Sequence, residues 1–348
     1  MTPARALKHL ITTTAAATIL LISTGCASSD GGDAVTTAGA ASTADAAGSG
    51  SSGSDLSDVT LSVAIGSTSN AFLKTAGLFD TPYEIEPIEA AGGKDIAAAV
   101  VSGRADLLLL GDVVTASLLG QDIPLNIVYA QQRAKDFCGI LVPKTSPITS
   151  IEQLKGKTIG NGVSTAGEVI AIRAFQQAGL DYLKDVERVD LATTPELQAA
   201  FVSGQVDALA ACTPPAGALV TEGQARWLVT GENGLWNAQN YWVLTDQTLR
   251  DPKKVAAALD YLNRFRQSLA YTNEHHDELI ATLSKETQVP AEQLRASFAG
   301  DITPVAVDAS VVTGLQNTYD ALGTAGRVPA GKKLDDFFDD QYTAQING

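Results

Sequence analysis

The sequence predicts an α/β protein made of two doubly wound lobes that face one another across a cleft, and three observations carry that expectation. The chain has 348 residues, 45% hydrophobic and 18% charged, which is too long for one ordinary core and apolar enough to bury two sheets. One stretch occurs twice: Ala98-Ala99-Val100-Val101-Ser102-Gly103-Arg104-Ala105-Asp106-Leu107-Leu108-Leu109 returns as Ala199-Ala200-Phe201-Val202-Ser203-Gly204-Gln205-Val206-Asp207-Ala208-Leu209-Ala210. Each copy is preceded by an apolar strand that ends in a polar Gly/Ser loop and a helix, so a unit of alternating strands and helices is built twice.

The first element is a targeting segment. Arg5 and Lys8 precede an apolar run over residues 10–22 that closes in Ser23-Thr24-Gly25-Cys26, too short and too Thr-rich for a membrane span. Residues 1–25 therefore read as a signal peptide. A small-residue pair before Cys resembles the bacterial lipobox, with Ser23 where Leu is commoner. Cys26 is then the lipidation site, and acyl chains worth about 0.8 kcal/mol per buried methylene hold the protein at a membrane. An ordinary secretory signal with an incidental Cys is the other reading.

Residues 26–57 are nearly all Ala, Ser, Gly, Thr and Asp, with Val35 and Leu56 the large apolar exceptions, and form a tether that cannot bury a core. Loss of Arg5 and Lys8 with the signal makes the formal charge of −15 more negative still, so nucleic acid is not an expected partner. Two cysteines remain, Cys138 and Cys212, and an even pair in an exported chain reads either as a disulfide or as two buried thiols.

In the first unit a strand over 59–65 leads into Gly66-Ser67-Thr68-Ser69-Asn70 and a helix to 78. In the second, a strand over 157–160 leads into Asn161-Gly162-Val163-Ser164-Thr165 and a helix over 166–178. Each repeat copy then ends a helix at Ser-Gly, where Gly takes the left-handed cap, and starts a strand near the Asp. The uninterrupted Leu107-Leu108-Leu109-Leu110 suits a sheet covered on both faces. Open parallel sheets bind ligands beyond the carboxyl ends of their strands, so the loops of two facing units line a shared cleft that closes about a hinge.

Taken in order, these marks resemble the nitrate/sulfonate/taurine-type ABC substrate-binding proteins, a group that includes receptors for the thiamine pyrimidine precursor. They are Gly66-Ser67-Thr68-Ser69-Asn70, Gly77-Leu78-Phe79, Ser102-Gly103 through Gly111-Asp112, Leu141-Val142-Pro143-Lys144, the run from Ile151 to Ile159, Ser203-Gly204-Gln205-Val206-Asp207-Ala208 and Asn273-Glu274-His275. The resemblance covers residues 59–300. It implies a type II periplasmic-binding fold of two mixed sheets with two hinge crossovers, outward near 137–143 and back near 241–245. Lobe one is then 59–140 plus 245–348, and lobe two 141–244. It also implies that the strand after the first crossover runs antiparallel to the strand ending at Cys212, within reach of Cys138.

Candidate ligand contacts follow from the strand-end rule. Ser67, Thr68 and Asn70 serve lobe one, and Ser164 and Thr165 lobe two, because N–H groups at a helix start lack intrahelical partners. Thr165 with Glu168 also reads as a capping box. Gly111, Asp112, Thr213 and Pro214 should rim the cleft, Asp112 being either a helix cap or a contact. Trp236, Tyr241 and Trp242 either stack on a flat ligand or pack the hinge. Arg133 reads as a loop charge or an oxyanion partner.

The helical tail from residue 251 carries Val255, Leu259, Leu262, Phe265 and Leu269 on one stripe. The chain's 3 histidines are His9 in the signal and adjacent His275 and His276, which point to different faces, so no metal site, cofactor or catalytic cluster is expected. The resulting expectation is a monomeric, non-enzymatic, extracytoplasmic receptor, lipid-anchored at the cell membrane. It takes a small organosulfonate-like or other polar anionic solute to an ABC permease and its ATPase. The alternatives are a receptor for a thiamine pyrimidine precursor or an aromatic acid, and an enzyme of pyrimidine-precursor synthesis on the same fold.

Overall fold

The alternation of leucines in the repeat explains the first sheet. Leu107 and Leu109 turn to one apolar cluster and Leu108 and Leu110 to another, all nearly or fully buried, as a strand covered on both faces requires. The structure is a computed structural model that describes residues 55–342 apart from 65, 90–92, 192, 214 and 299, together with 345 and 346. All belong to the unit Gly53–Gly348. The signal peptide, Cys26, nearly all of the tether and Pro214 lie outside the described residues.

Lobe one runs β1 (Thr60–Ala64), α1 (Gly66–Thr75), β2 (Glu84–Ile88), α2 (Gly93–Val101), β3 (Leu107–Gly111), α3 (Asp112–Gly120) and β4 (Leu125–Gln132). The chain crosses to β5 (Cys138–Pro143), β6 (Thr158–Gly162), α4 (Ala166–Gln177), β7 (Glu187–Leu191), α5 (Thr194–Val202), β8 (Ala208–Cys212), α6 (Pro215–Thr221) and β9 (Ala225–Thr230). It returns through β10 (Gln239–Thr245), α7 (Asp246–Leu249), α8 (Pro252–Glu274), α9 (His276–Thr287), α10 (Ala291–Ser297), β11 (Thr303–Val305) and α11 (Ala309–Thr324).

The sheet orders are β11-β4-β10-β3-β1-β2 and β7-β6-β8-β5-β9. The parallel cores β2-β1-β3 and β7-β6-β8 are the same arrangement made twice, with β10 antiparallel to β3 and β5 antiparallel to β8. This is the two-lobed, doubly wound fold that the repeat implied, with the mixed sheets that the resemblance implied.

The repeat also has a structural job that explains its Asp. Asp106 Oδ2 accepts from the Ser62 N–H at 3.0 Å and Asp207 Oδ2 from the Thr158 N–H at 2.9 Å, each fastening the start of one strand to its neighbour. Before each, Gly103 and Gly204 take φ of 69° and 75°, where a side chain would be strained.

Three apolar clusters organise the packing. One covers the α1, α8 and α9 face of lobe one, one covers the α5 and α6 face of lobe two, and the largest passes through both lobes, joining α3, α4 and α11. In α8, Ala258, Leu262, Phe265 and Leu269 are buried at helical spacing behind the Asp251 cap.

Both crossings differ from the expected places. Cys138 already pairs with lobe two, and Gln239 through Thr245 pair with β3 and β4 of lobe one. Residues 138–140 therefore belong to lobe two and 239–244 to lobe one. Both connections lie earlier, at 133–137 and 231–238, and Tyr241 and Trp242 are strand residues facing opposite clusters rather than hinge residues. Cys138 and Cys212 are directly opposed in the ladder and form a disulfide.

Candidate functional site

The loop after β6, the start of α2 and the middle and end of α3 meet between the lobes, and the carboxyl end of β7 lies beside that loop. Val163, 43% exposed, lines two cavities. One, of about 380 Å³, lies between Lys94, Val114, Ser117, Leu118 and Gln121 of lobe one and Val163 and Ser164 of lobe two, with Arg327 on its wall. The other, of about 360 Å³, is lined by Gly162, Val163, Thr165, Asp190, Leu191, Thr193 and Leu197 of lobe two. Either volume fits a small solute.

The lobe-two loop is set by its own hydrogen bonds. Thr165 Oγ1 donates to the Gly162 carbonyl and accepts from the Glu168 N–H, while Glu168 Oε2 accepts from the Ser164 N–H at 2.8 Å. Thr165 is thus occupied as the α4 cap. Ser164 sits at φ 53°, an uncommon place for Ser, and lines the cavity. Glu168 is fully buried and pairs with Arg327, whose Nη2 lies 2.7 Å from Oε1 and also reaches Asp190.

Several candidates from the sequence lie elsewhere. Asn70 is buried and accepts from the Tyr261 hydroxyl at 2.9 Å, which ties α1 to α8 inside lobe one. Asp112 is also buried: its Oδ2 accepts from Trp236 Nε1 at 2.7 Å and from Thr318 Oγ1 at 3.0 Å, and Oδ1 from the Val113 N–H. It bolts α3 to the return crossing and to α11 rather than facing a solute, and burial pushes its carboxyl up to about 6.

Tyr241 and Trp242 are fully buried. The Tyr241 hydroxyl donates to Gln239, and Trp242 packs edge-on against Tyr261 and Phe265. Neither offers a face to a ligand, because β10 is an inner strand with helices on both sides. Trp236 is spent on Asp112 and on the edge of Phe137.

Arg133 lies over the rings of Phe137 and Phe298, where burial lowers its guanidinium to about 10. Gly111 and Thr213 are partly exposed at strand ends. Thr68 is partly exposed in the first turn of α1, and Ser67 takes helical backbone beside it. His275 stacks on Tyr271 whereas His276 faces Asp301.

Sequence reasoning missed Lys94, Val163, Glu168 as an ion-pair partner, Asp190 and Arg327. Lys94 opens α2 beyond the end of β2, a position the strand-end rule marks. Nothing local marks Arg327, whose partner Glu168 is 159 residues away.

Among the described residues the cavity wall carries two cations, Lys94 and Arg327. Arg327 is committed to two carboxylates, whereas the exposed Lys94 ammonium has no ion-pair partner among the described residues. The uncommitted charge is positive and suits an oxyanion.

Residues 79–232 match the family described as ABC transporter, phosphonate, periplasmic substrate-binding protein. The chain is 28% identical over 278 residues to a protein of Escherichia coli (strain K12) named for binding aliphatic sulfonates, a match covering 78% of this chain and 84% of that protein. Among solved structures, it resembles the periplasmic aliphatic sulphonate binding protein SsuA from Escherichia coli, with a TM-score of 0.69 at 24% identity over 80% of this chain and 89% of that one. It also resembles the desulfurization enzyme DSZB, with a TM-score of 0.61 at 17% identity over 83% of this chain and 99% of that one. Among the described residues no helix is long and apolar enough to cross a membrane.

Proposed function

We propose that this chain is a periplasmic substrate-binding protein of an ABC transporter, which captures a small organosulfonate or related oxyanion between its lobes and releases it unchanged to a permease. The observation that carries the solute class is the interlobe cavity, whose one uncommitted charge among the described residues is the Lys94 ammonium. A sulfonate there gains a charge-assisted contact from lobe one while touching the Val163 and Ser164 backbone of lobe two. Contacts from both sides favour the closed form over the open one.

The aromatic side chains that made a flat pyrimidine or aromatic acid attractive are buried in the cores, so those solutes lose their support. Export with Cys26 lipidated, placement at the outer face of the cell membrane and a monomeric state complete the reading. The spacing of Arg5, Lys8 and the apolar run before Cys26 supports the first two. Likeness to a desulfurization enzyme keeps catalysis in view, but among the described residues both cysteines are joined in the disulfide and both histidines lie where α8 meets α9.

A titration calorimetry panel of short alkanesulfonates, phosphonates and carboxylates, with mass spectrometry of the recovered solute, tests the proposal. Binding with the solute intact, weakened by Lys94→Gln, is expected. A chemically altered solute, or sulfonate affinity indifferent to Lys94→Gln, would count against it.

A further inference from the structure

Among the described residues, one set of ion pairs joins the lobes, and it runs along the wall of the cavity assigned above to the solute. Arg327 lies on a segment fastened to lobe one. Val328 beside it packs on Gly120, the Tyr319 hydroxyl donates to the Pro329 carbonyl, and the Lys332 ammonium donates to the Leu119 carbonyl and the Asp122 carboxylate.

From that anchor the guanidinium crosses to lobe two. Nη2 donates to Glu168 Oε1 at 2.7 Å and Asp190 Oδ2 at 3.1 Å, and Nε lies 3.2 and 3.3 Å from the two oxygens of Glu168. The next cation, Arg188, holds Nη1 4.0 Å from Glu168 Oε1, outside hydrogen-bond reach. A carboxylate with no solvent exposure therefore depends on Arg327 for its compensation. Through the bond from the Ser164 N–H, the conformation of the cavity loop depends on that carboxylate.

We infer that Arg327 is the specificity-determining latch of this site: pairing with Glu168 holds the lobes together at the cleft and stops the wall from presenting an uncompensated carboxylate to an anionic solute. The inference rests on the oxyanion reading of the cavity only in its second half. Removing the guanidinium leaves a buried charge without its partner, which opens the lobes and turns the local field against an anion. Removing both charges restores neutrality without restoring the tie.

The test uses the full chain with Arg327→Gln, Glu168→Gln and the double variant. Spin labels at Val101→Cys and Val202→Cys, exposed residues at the ends of α2 and α5, report the interlobe distance by pulsed EPR without solute. Calorimetry with ethanesulfonate reports affinity. Arg327→Gln is expected to lengthen and broaden the distance distribution and to weaken ethanesulfonate by about tenfold or more. The double variant is expected to keep the altered distances while recovering most of that affinity.

A distance distribution in Arg327→Gln that superimposes on the wild type overturns the latch, and a double variant as weak as the single overturns the charge argument. If the single variant does not fold, the double, which removes both members of the Arg327–Glu168 pair, carries the distance test, and an unchanged distribution there is equally fatal. Wild-type protein that ignores ethanesulfonate and its homologues refutes the oxyanion reading, and the EPR result still decides the latch.

Discussion

Reducing the bond between Cys138 and Cys212 should cost this protein stability without abolishing its fold. The two residues are 74 apart in sequence, so in the unfolded chain the cross-link closes a loop holding most of lobe two. Chain-entropy bookkeeping for a loop of that length gives about 4 kcal/mol at 25 °C. In the folded state the same residues are already opposed by the β5–β8 ladder, in register from Cys138 with Cys212 to Leu141 with Leu209, so the bond adds little that the ladder does not hold. Its effect should therefore appear as a lower urea midpoint rather than as lost secondary structure.

The assay is equilibrium urea unfolding of oxidised and reduced protein, with a Cys138→Ala/Cys212→Ala variant as a check on the reductant. Thiol titration of the unreduced, denatured chain comes first and should find neither cysteine free. Equal midpoints for oxidised and reduced protein would refute the loop-entropy reasoning, and two titratable thiols from these positions would remove its premise.

Three further outcomes follow from the packing. A methyl at Gly167 would stand 2.6 Å from the Ala210 carbonyl oxygen, so Gly167→Ala must push α4 off β8; a loss of about 1–3 kcal/mol in urea unfolding is expected, and an unchanged midpoint would contradict the close approach. Trp242→Ala should destabilise by about 3–5 kcal/mol as a core truncation yet leave solute affinity nearly unchanged in the folded fraction, whereas selective loss of binding would return Trp242 to the site. Asp112 has a folded pKa of about 6, above its unfolded value of about 3.9, so the folded state binds the extra proton between those values. Its contribution to stability is full below about pH 4 and lost as pH rises through about 6, on the order of 3 kcal/mol. Measured across that window, Asp112→Asn should gain on the wild type as pH rises, and parallel stability curves would show that Asp112 does not titrate as its burial implies.

Much of the architecture was legible because it is written in local rules. Gly103 and Gly204 mark helix ends through backbone conformations that side chains resist, and the Leu107–Leu110 run announces a strand covered on both sides. The order of strand, polar loop and helix, occurring twice, sufficed to place two sheets around a cleft. Ser164 and Gly111 were found at strand ends because chain direction alone decides which loops lie there.

Other features depended on contacts that no local pattern encodes. Trp242 and Tyr241 look alike as aromatic neighbours, yet strand parity sends each into a different core, and only the covering helices make both faces dry. Asp112 reads as a cap or a contact until Trp236 and Thr318, 124 and 206 residues away, close over it. The sequence by itself determined the secondary elements and their doubling, since these follow from backbone sterics and the period of apolar residues. The tertiary structure alone decided which charges meet, as with Arg327 and Glu168, because an ion pair between distant segments leaves no trace in the chain until folding brings its partners within a few ångströms.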